Sequence, residues 1–548
     1  MEKPTLKIIP IGGTTTVQKN MYVYESGNDI IVMDCGIGFP DMETPGVDII
    51  IPDFTYILEN RDKVRGIIIT HGHEDHRGSL PYLLEKYAFD VYAVPFVKGL
   101  IEKSLEEYTN LNHIKIKTFD PDQPMQLGVF KINAFHVNHS VPDTLGFAID
   151  TPQGRVFHSA DYKFDWTPVM DKPFDVQKAA VLAAETKEGV LAMLSDCLGS
   201  TSEGYAKSEK TIQSTFEKIL ENSTNSQVFI TTISSNISRI QQAIDASIKF
   251  KRKVVLSGRS INNTMSVARE MKYINSPENV FVEERNAHKY PQRELTYIIS
   301  GSYGQKGSGL WRVAMGEHKN TTLENNAVVI FSADPIPNSV SAVNFMIDEL
   351  YMKGAEIYYS EIQNNLHVSG HGGRGDLSLL ANIVKPRFFI PIGGNVKHMR
   401  AYSDMMESQG IEAKRVLQLL DGQSVIFENG TARLGERLKL KEVYVDGSLV
   451  GDVGTKILED RIQMANHGMA VIVIKSGKAE LYTRGFVFVK ESKKLITDTT
   501  LFVEKKYAEF AKQKQNPQEI QTRIEAALER YFFEKTKRKP LVLVSISP

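Results

Sequence analysis

The sequence predicts an α/β protein of several domains, and three observations carry that prediction. Short apolar runs recur through the first part of the chain, separated by turns and helical stretches: LKIIPI, NMYVYE, DIIVMD, VRGIIIT, DVYAVP, FKINAFHV, LGFAID and RVFHSA. This is the alternation of an α/β sandwich. From about Tyr205 the rhythm lengthens, with SEKTIQSTFEKILEN and SRIQQAIDASIKF reading as helices between the strands QVFITTI and KVVLSG, a second α/β domain. A third unit follows LKLKEVYVDGSLVGDVG; its helix begins at Asn516-Pro517, carries the apolar stripe Ile520, Ile524, Leu528, Tyr531, and precedes a last strand, PLVLVSI. The pentapeptide IPIGG stands at 9–13 and again at 390–394, but nothing around the copies matches, so it marks no internal repeat.

Composition sets the outer limits. With 548 residues and 42% hydrophobic content the chain can bury several cores, at about 150 residues per domain. Its 65 basic and 66 acidic side chains nearly cancel, so a nucleic-acid partner would have to meet a local basic patch rather than a global field. Cys35 and Cys197 lie far apart in no metal-binding spacing, which points to a reducing compartment and a cytoplasmic protein. No apolar run reaches membrane-spanning length, and MEKPTLKIIPIGG lacks a signal-peptide core, so neither membrane insertion nor secretion is expected.

The chemistry concentrates in THGHEDHRGS, residues 70–79, which follows the apolar stretch Val64 to Ile69. A turn at the end of a strand is where α/β proteins place reactive groups. His71 and His73, two apart, can chelate one ion, and Asp75 and His76 can turn toward a second beside it. Imidazole with carboxylate suits zinc, or manganese in a more oxygen-rich site. His139 in VNHSVPD and Asp161 in HSADYKFD also lie at strand ends and can complete the shell, Asp161 as the carboxylate that bridges a pair of ions. His158 reads as a packed histidine, and His113, His288 and His467 as surface or core residues.

The order DCG, HGHEDH, NHSVPD, SADYKFD resembles the metallo-β-lactamase fold, and HVSGHGG with PIGGNVKH narrows the likeness to β-CASP nucleases. KNMYVYESGNDIIVMDCGIGFPDMETPGVDIIIPD, FSADPIPNSVSAVN, VYVDGSLVGDVG and RGFVFV are similar to the ribonuclease J family over nearly the whole chain. The resemblance implies a metallo-β-lactamase αββα sandwich interrupted by a β-CASP α/β domain and followed by a small α+β domain. The expected division is 1–205 and 365–432 for the hydrolase, 206–364 for the insertion, 433–450 as linker and 451–548 for the C-terminal domain.

That resemblance also implies roles. His71, His73 and His139 would hold one zinc, Asp75 and His76 the other, with Asp161 bridging; manganese or magnesium are alternatives. Water activated by the metal pair would attack phosphorus in line, with Asp75 central to that step. Asp34 in MDCG matches a buried acid that orients a metal-binding loop, and Asp196 in LSDCLG an acid that supports the ligands. His367 matches the histidine that protonates the leaving oxygen, while Ser369, Gly370 and His371 match contacts to RNA phosphate. Arg259 and Ser260 in SGRSINN could touch RNA or cap the next helix. The basic runs KFKRKVV at 249–255 and KTKRKP at 535–540 read as solvated faces or phosphate contacts. Self-association into a homodimer or homotetramer, or with a paralogue, is implied for the C-terminal domain, whose helix stripe is the candidate surface.

Several positions depart from the family. IPIGGNVKH carries Gly393 where a metal-binding histidine is usual and Asn395 where an acid is usual; Ser238 stands for a histidine, SGSYGQKG around Tyr303 and Gln305 for a Gln-Gly-Glu run, and SDCLGS lacks the usual Ser-Thr-Asn. Gly393 implies a weak second metal site. Two functions follow: a metal-dependent ribonuclease acting 5′ to 3′ on 5′-monophosphate RNA with internal cleavage, or a weakened paralogue that presents RNA to an active relative. A small-molecule hydrolase is disfavoured, because it leaves the β-CASP motifs and the C-terminal domain without purpose.

Overall fold

The computed structural model describes residues 3–41, 43–335, 339–447, 449–487, 492–513 and 516–547, so parts of FSADPIPNSVSAVN, VYVDGSLVGDVG and RGFVFV lie outside the described residues. The chain forms two compact units. Met1–Gly38 with Ile51–Glu442 makes the first, and Phe39–Ile50 with Val443–Pro548 the second.

Two sheets build the hydrolase part of the first unit. One has eight strands, ordered Thr431–Arg437, Gln423–Glu428, Leu6–Gly12, Met21–Ser26, Asp29–Met33, Val64–Ile68, Val91–Ala93 and Lys117–Thr118. The other has six, ordered Phe388–Ile392, Ala192–Asp196, Gly154–His158, Leu145–Thr151, Phe130–His136 and Met125–Leu127. Rings meet between them at Phe388 with Phe427 (5.7 Å between centroids) and, just past Lys117–Thr118, at Phe119 with Phe147 (6.2 Å). His158 is packed as expected, its Nδ1 2.9 Å from Tyr24 Oη.

The inserted domain has its own sheet, all parallel, in the order Phe281–Val282, Lys253–Ser257, Leu295–Ile299, Val228–Thr231, Val328–Phe331, Glu356–Tyr358. VFIT, LTYII and VVIF are buried at every position, as strands covered by helices on both faces must be. After it the chain returns, and Phe388–Ile392 pairs parallel to Ala192–Asp196. That pairing completes a sheet interrupted in sequence by the whole insertion.

The boundary near 433–450 differs from the expected linker. Thr431–Arg437 pairs with Gln423–Glu428 in the first sheet, and Val443–Asp446 with Leu449–Val450 joins Ile49–Ile51 in a three-stranded sheet. Thr431–Arg437 has no buried position, so no apolar face marks it as a strand in sequence; it is held by backbone pairing to Gln423–Glu428.

The second unit holds a sheet of Lys478–Arg484, Met469–Lys475 and Leu541–Ser547, with helices Lys493–Ala511 and Pro517–Thr536. Asn516 caps the latter by accepting from Glu519 N at 2.8 Å, with Pro517 in its first turn. Its stripe of Ile520, Ile524, Leu528 and Phe532 packs against Ala470, Ile472, Ile474, Val542 and Val544 of its own sheet. Tyr531 stacks on Phe502 at 4.6 Å. The stripe is therefore the cover of this sheet rather than a free association surface. Among the described residues no helix is long and apolar enough to cross a membrane.

Leu528 has no exposed surface, so Leu528→Ala should cost about 2–5 kcal/mol through lost transfer energy and a residual cavity. Denaturant unfolding followed by a probe in the second unit should register it. A loss below about 1 kcal/mol would mean that this core does not depend on the helix.

Candidate metal centre

Four strand ends converge on one point. Val64–Ile68 delivers Thr70 to His76, Phe130–His136 delivers His139, Gly154–His158 delivers Asp161, and Ala192–Asp196 ends in Asp196 itself. The loop of Thr70–His76 is pinned from outside: Asn20 N donates to Asp75 O at 3.0 Å, and Cys35 N to His76 O at 2.8 Å. Gly36 is required here, because a Cβ would lie 1.6 Å from Asp75 O.

His71 Nε2 lies 3.2 Å from His73 Nδ1, and His139 Nε2 lies 3.1 Å from the same atom. Asp161 Oδ2 is 3.8 Å from both His71 Nε2 and His139 Nε2. The four ligand atoms fall within 4.8 Å of one another, as a single cation requires.

The outer ring nitrogens fix the tautomers. His139 Nδ1 donates to the carbonyl of Gly370 at 2.7 Å, so its Nε2 carries a lone pair. His71 Nδ1 faces Thr70 Oγ1 at 2.9 Å, and that hydroxyl donates to Asp34 Oδ2 at 2.9 Å, so His71 Nε2 carries a lone pair as well. Ser140 Oγ meets His73 Nε2 at 3.1 Å. Partnering the far nitrogen is how proteins orient metal-binding imidazoles. Burial, ahead of the neighbouring rings, holds His71 and His73 well below the usual histidine range and His139 at about 3. The donor set fits a metal ion.

Asp34 lies behind this loop, without exposed surface and at φ 65°. It accepts from Thr70 N at 2.8 Å and from His76 Nδ1 at 2.8 Å. His76 Nε2 then faces Asp161 Oδ2 at 3.2 Å and Asp75 Oδ2 at 3.7 Å. Burial, only partly offset by His76, lifts Asp75 to about 6. Asp161 thus stands between the three-histidine group and the Asp75–His76 pair.

Gly393 opens onto the same acids. At φ 68°, a Cβ added there would find only Asp161 Oδ1 and Asp196 Oδ1 within 4 Å, each at 3.5 Å. A side chain at this position would enter the centre. Gly393 N donates to Gly13 O at 2.7 Å, so the two IPIGG copies meet at their glycine ends. His398 has its Nδ1 on Asn395 N at 3.1 Å, capping its own helix rather than reaching the acids.

The HVSGH turn is the main difference from expectation. His371, assigned to RNA phosphate, lies with Nδ1 2.7 Å from Asp196 Oδ2 and Nε2 3.9 Å from Asp161 Oδ2. Burial opposes its charge, but Asp196 and Asp161 outweigh it and push His371 up to about 9. For His367, assigned to the leaving group, burial and then Arg239 hold the ring down at about 4, and its Nδ1 has no hydrogen-bond partner among the described residues. Ser369 Oγ closes the turn on the backbone of His371 at 3.0 Å. Gly370 supports His139, and a Cβ there would come within 2.7 Å of its ring.

Arg259 and Ser260 are exposed at the carboxyl end of the inserted sheet, where Ser260 Oγ meets Ser234 Oγ at 2.7 Å. In the 249–255 run, Arg252 is a buried pin rather than a phosphate contact, bonded to Thr296 Oγ1 at 3.0 Å and Ser226 O at 2.8 Å. Sequence reasoning missed Thr70, Ser140 and Asn20, whose Nδ2 is 3.1 Å from His76 Nε2. The first two directly flank metal-binding histidines, a signal that was available; Asn20 offered none.

Family comparisons agree with this architecture. Residues 31–187 match the β-lactamase superfamily domain, 225–350 the ribonuclease J β-CASP domain, 355–416 the Zn-dependent metallo-hydrolase RNA specificity domain and 456–548 the ribonuclease J C-terminal domain. Ribonuclease J2 of Bacillus subtilis is 32% identical, covering 98% of each chain. Ribonuclease J 1 of Streptococcus pyogenes is 32% identical over 98% of this chain and 96% of its own. A crystal structure of a protein of unknown function from Enterococcus faecalis shares the fold at TM-score 0.53 and 14% identity, covering 77% of this chain and all of that one. With matches to all four domains and relatives of that name along its full length, the chain belongs to the ribonuclease J family.

Proposed function

We propose that this protein is a metal-dependent ribonuclease that degrades 5′-monophosphate RNA in the 5′ to 3′ direction and also cleaves internally, in mRNA decay and rRNA processing. The observation that carries the reading is the convergence of His71 Nε2, His73 Nδ1 and His139 Nε2, with the outer nitrogen of each ring engaged. Three nitrogens and a carboxylate favour zinc, with manganese or magnesium as alternatives. A bound divalent ion supplies positive charge beside the phosphodiester and lowers the pKa of the attacking water.

The chain's own residues do the rest. Asp34 keeps His76 turned toward the centre, and Asp75 and Asp161 supply the remaining carboxylates. His371 is the donor to the leaving oxygen in this reading, in place of His367, because its Nδ1 is held on Asp196 Oδ2 at 2.7 Å and its Nε2 is turned toward Asp161. Arg259, Ser260 and Ser369 are the exposed polar groups offered to RNA. Self-association uses a surface other than the helix stripe of Pro517–Thr536, which its own sheet covers.

RNA labelled at either end, carrying a 5′-monophosphate or 5′-triphosphate, tests the reading. The monophosphate substrate should release mononucleotides from its 5′ end, and the triphosphate substrate should resist. His71→Ala with His139→Ala should lower the rate at least about 100-fold, since changes to mere supporting partners already cost 10–100-fold. Unchanged decay by a folded double variant would assign the activity elsewhere.

Gly393 favours a second reading, a weakened subunit that presents RNA to an active relative. A Cβ at Gly393 would stand 3.5 Å from Asp161 Oδ1 and Asp196 Oδ1, so the histidine usual in the family would add its ligand beside these acids, where Asp161, Asp196 and His371 remain as a second group able to hold an ion. After dialysis the chain should retain about one metal rather than two. Gly393→His should raise both metal content and nuclease rate, despite about 1–2 kcal/mol of backbone strain at positive φ. Two metals already held by the native chain, with no gain in the variant, would remove the weakened-site account.

A further inference from the structure

A chain of buried ions runs between the metal loops and the inserted domain, and nothing in the reaction described above uses it. Lys163, two residues beyond Asp161, is fully buried, with Nζ 3.1 Å from Lys207 O, 3.6 Å from Glu209 Oε1 and 3.8 Å from Asp165 Oδ2. Glu209 lies on the segment by which the chain leaves the hydrolase fold. Its Oε2 takes Arg239 Nη2 at 2.7 Å, and its backbone N donates to Asp165 Oδ2 at 2.9 Å. Arg239, in the inserted helix Ile237–Lys249, has no exposed surface. Its Nη1 donates to Ser332 O and Oγ at 2.8 Å and to Leu366 O at 3.2 Å, which reaches the segment by which the chain returns.

A second buried acid ties the same segments. Asp376, without exposed surface, accepts from Phe164 N at 2.9 Å, Ala206 N at 2.8 Å and Gly373 N at 2.9 Å. One carboxylate therefore holds the metal loop, the outgoing chain and the returning chain. Lys163 N also donates to Asn138 O at 2.8 Å, so Lys163 sits beside both His139 and Asp161.

Two cations and two anions, Lys163 and Arg239 with Asp165 and Glu209, balance in the buried chain. Buried ion pairs seldom add stability beyond what apolar contacts of the same volume give, and their best-attested use is to specify register. We propose that Lys163, Glu209 and Arg239 form a positioning element for RNA cleavage, fixing the inserted domain against the loops of His139 and Asp161. RNA seated on the inserted domain then meets the metal centre in cleavage geometry. The inference rests on the ribonuclease reading. It adds to it that the rate, more than the affinity, depends on a junction remote from the reacting atoms.

The test is the charge-balanced double variant Glu209→Gln/Arg239→Gln in the full chain, which leaves no unpaired ion. Its kcat on 5′-monophosphate RNA should fall about tenfold or more, since small misplacements of a substrate cost that much. KM should stay within about threefold and metal content should match the wild type, while Tm falls by no more than the lost bonds of Arg239 require and the variant stays folded at the assay temperature. Lys163→Met/Asp165→Asn, which removes the neighbouring pair and leaves Glu209 with Arg239, should give the same split and serves if the first variant does not fold. A folded, metal-loaded variant with kcat within about twofold of wild type would overturn the proposal, as would a rate loss that merely tracks lost metal or lost folded protein. A wild-type chain that cleaves no RNA at all would instead overturn the ribonuclease reading beneath it.

Discussion

Lone pairs on imidazole nitrogens 3.1–3.2 Å apart repel unless a positive charge lies among them, and the arrangement of His71, His73 and His139 is built on that constraint. A proton on His73 Nδ1 could satisfy one neighbour. A cation satisfies all three together with Asp161, because the hydrogens of His71 and His139 are committed outward to Thr70 and Gly370. The surrounding chain supports those outward bonds. Asp34 accepts the left-handed backbone that places its carboxylate under Thr70 and His76, and Gly36 lets the backbone of Asp75 pass overhead.

The same constraint explains why the insertion is tolerated. Gly370 and His371 belong to the segment that returns from the inserted domain, yet the first receives His139 and the second meets Asp196. The centre is complete only when the chain has gone out and come back. The fold fastens both passages to the loop after Asp161, through Asp376 and through the buried ions around Glu209. An apolar junction would hold the parts together; a junction of specific ions and backbone bonds also sets how they meet.

Much of this was legible in sequence wherever the information is local. HGHEDH follows a strand, and its histidine spacing predicts the ligand cluster without tertiary knowledge. Strand runs such as VFIT and VVIF announce burial on both faces. What sequence does not decide depends on contacts distant in it. His367 and His371 occupy one turn, and which of them faces the acids is decided by the closure of that turn through Ser369 and by Asp196. The stripe of Ile520, Ile524 and Leu528 was read correctly as apolar, but sequence does not say that its own sheet covers it. The transfer of 39–50 to the second unit, and the pairing of 443–446 beyond it, had no local signal at all.

We propose that one cation sits among His71, His73, His139 and Asp161, and that Gly393 leaves the position beside it more weakly held. Anomalous diffraction at the zinc edge, from crystals grown with a small excess of zinc, tests it most directly. The account predicts a strong peak in contact with His71 Nε2, His73 Nδ1, His139 Nε2 and Asp161, with a weaker one or none between Asp75 and His76. No peak within reach of the three histidines, or two peaks of equal strength, would contradict it.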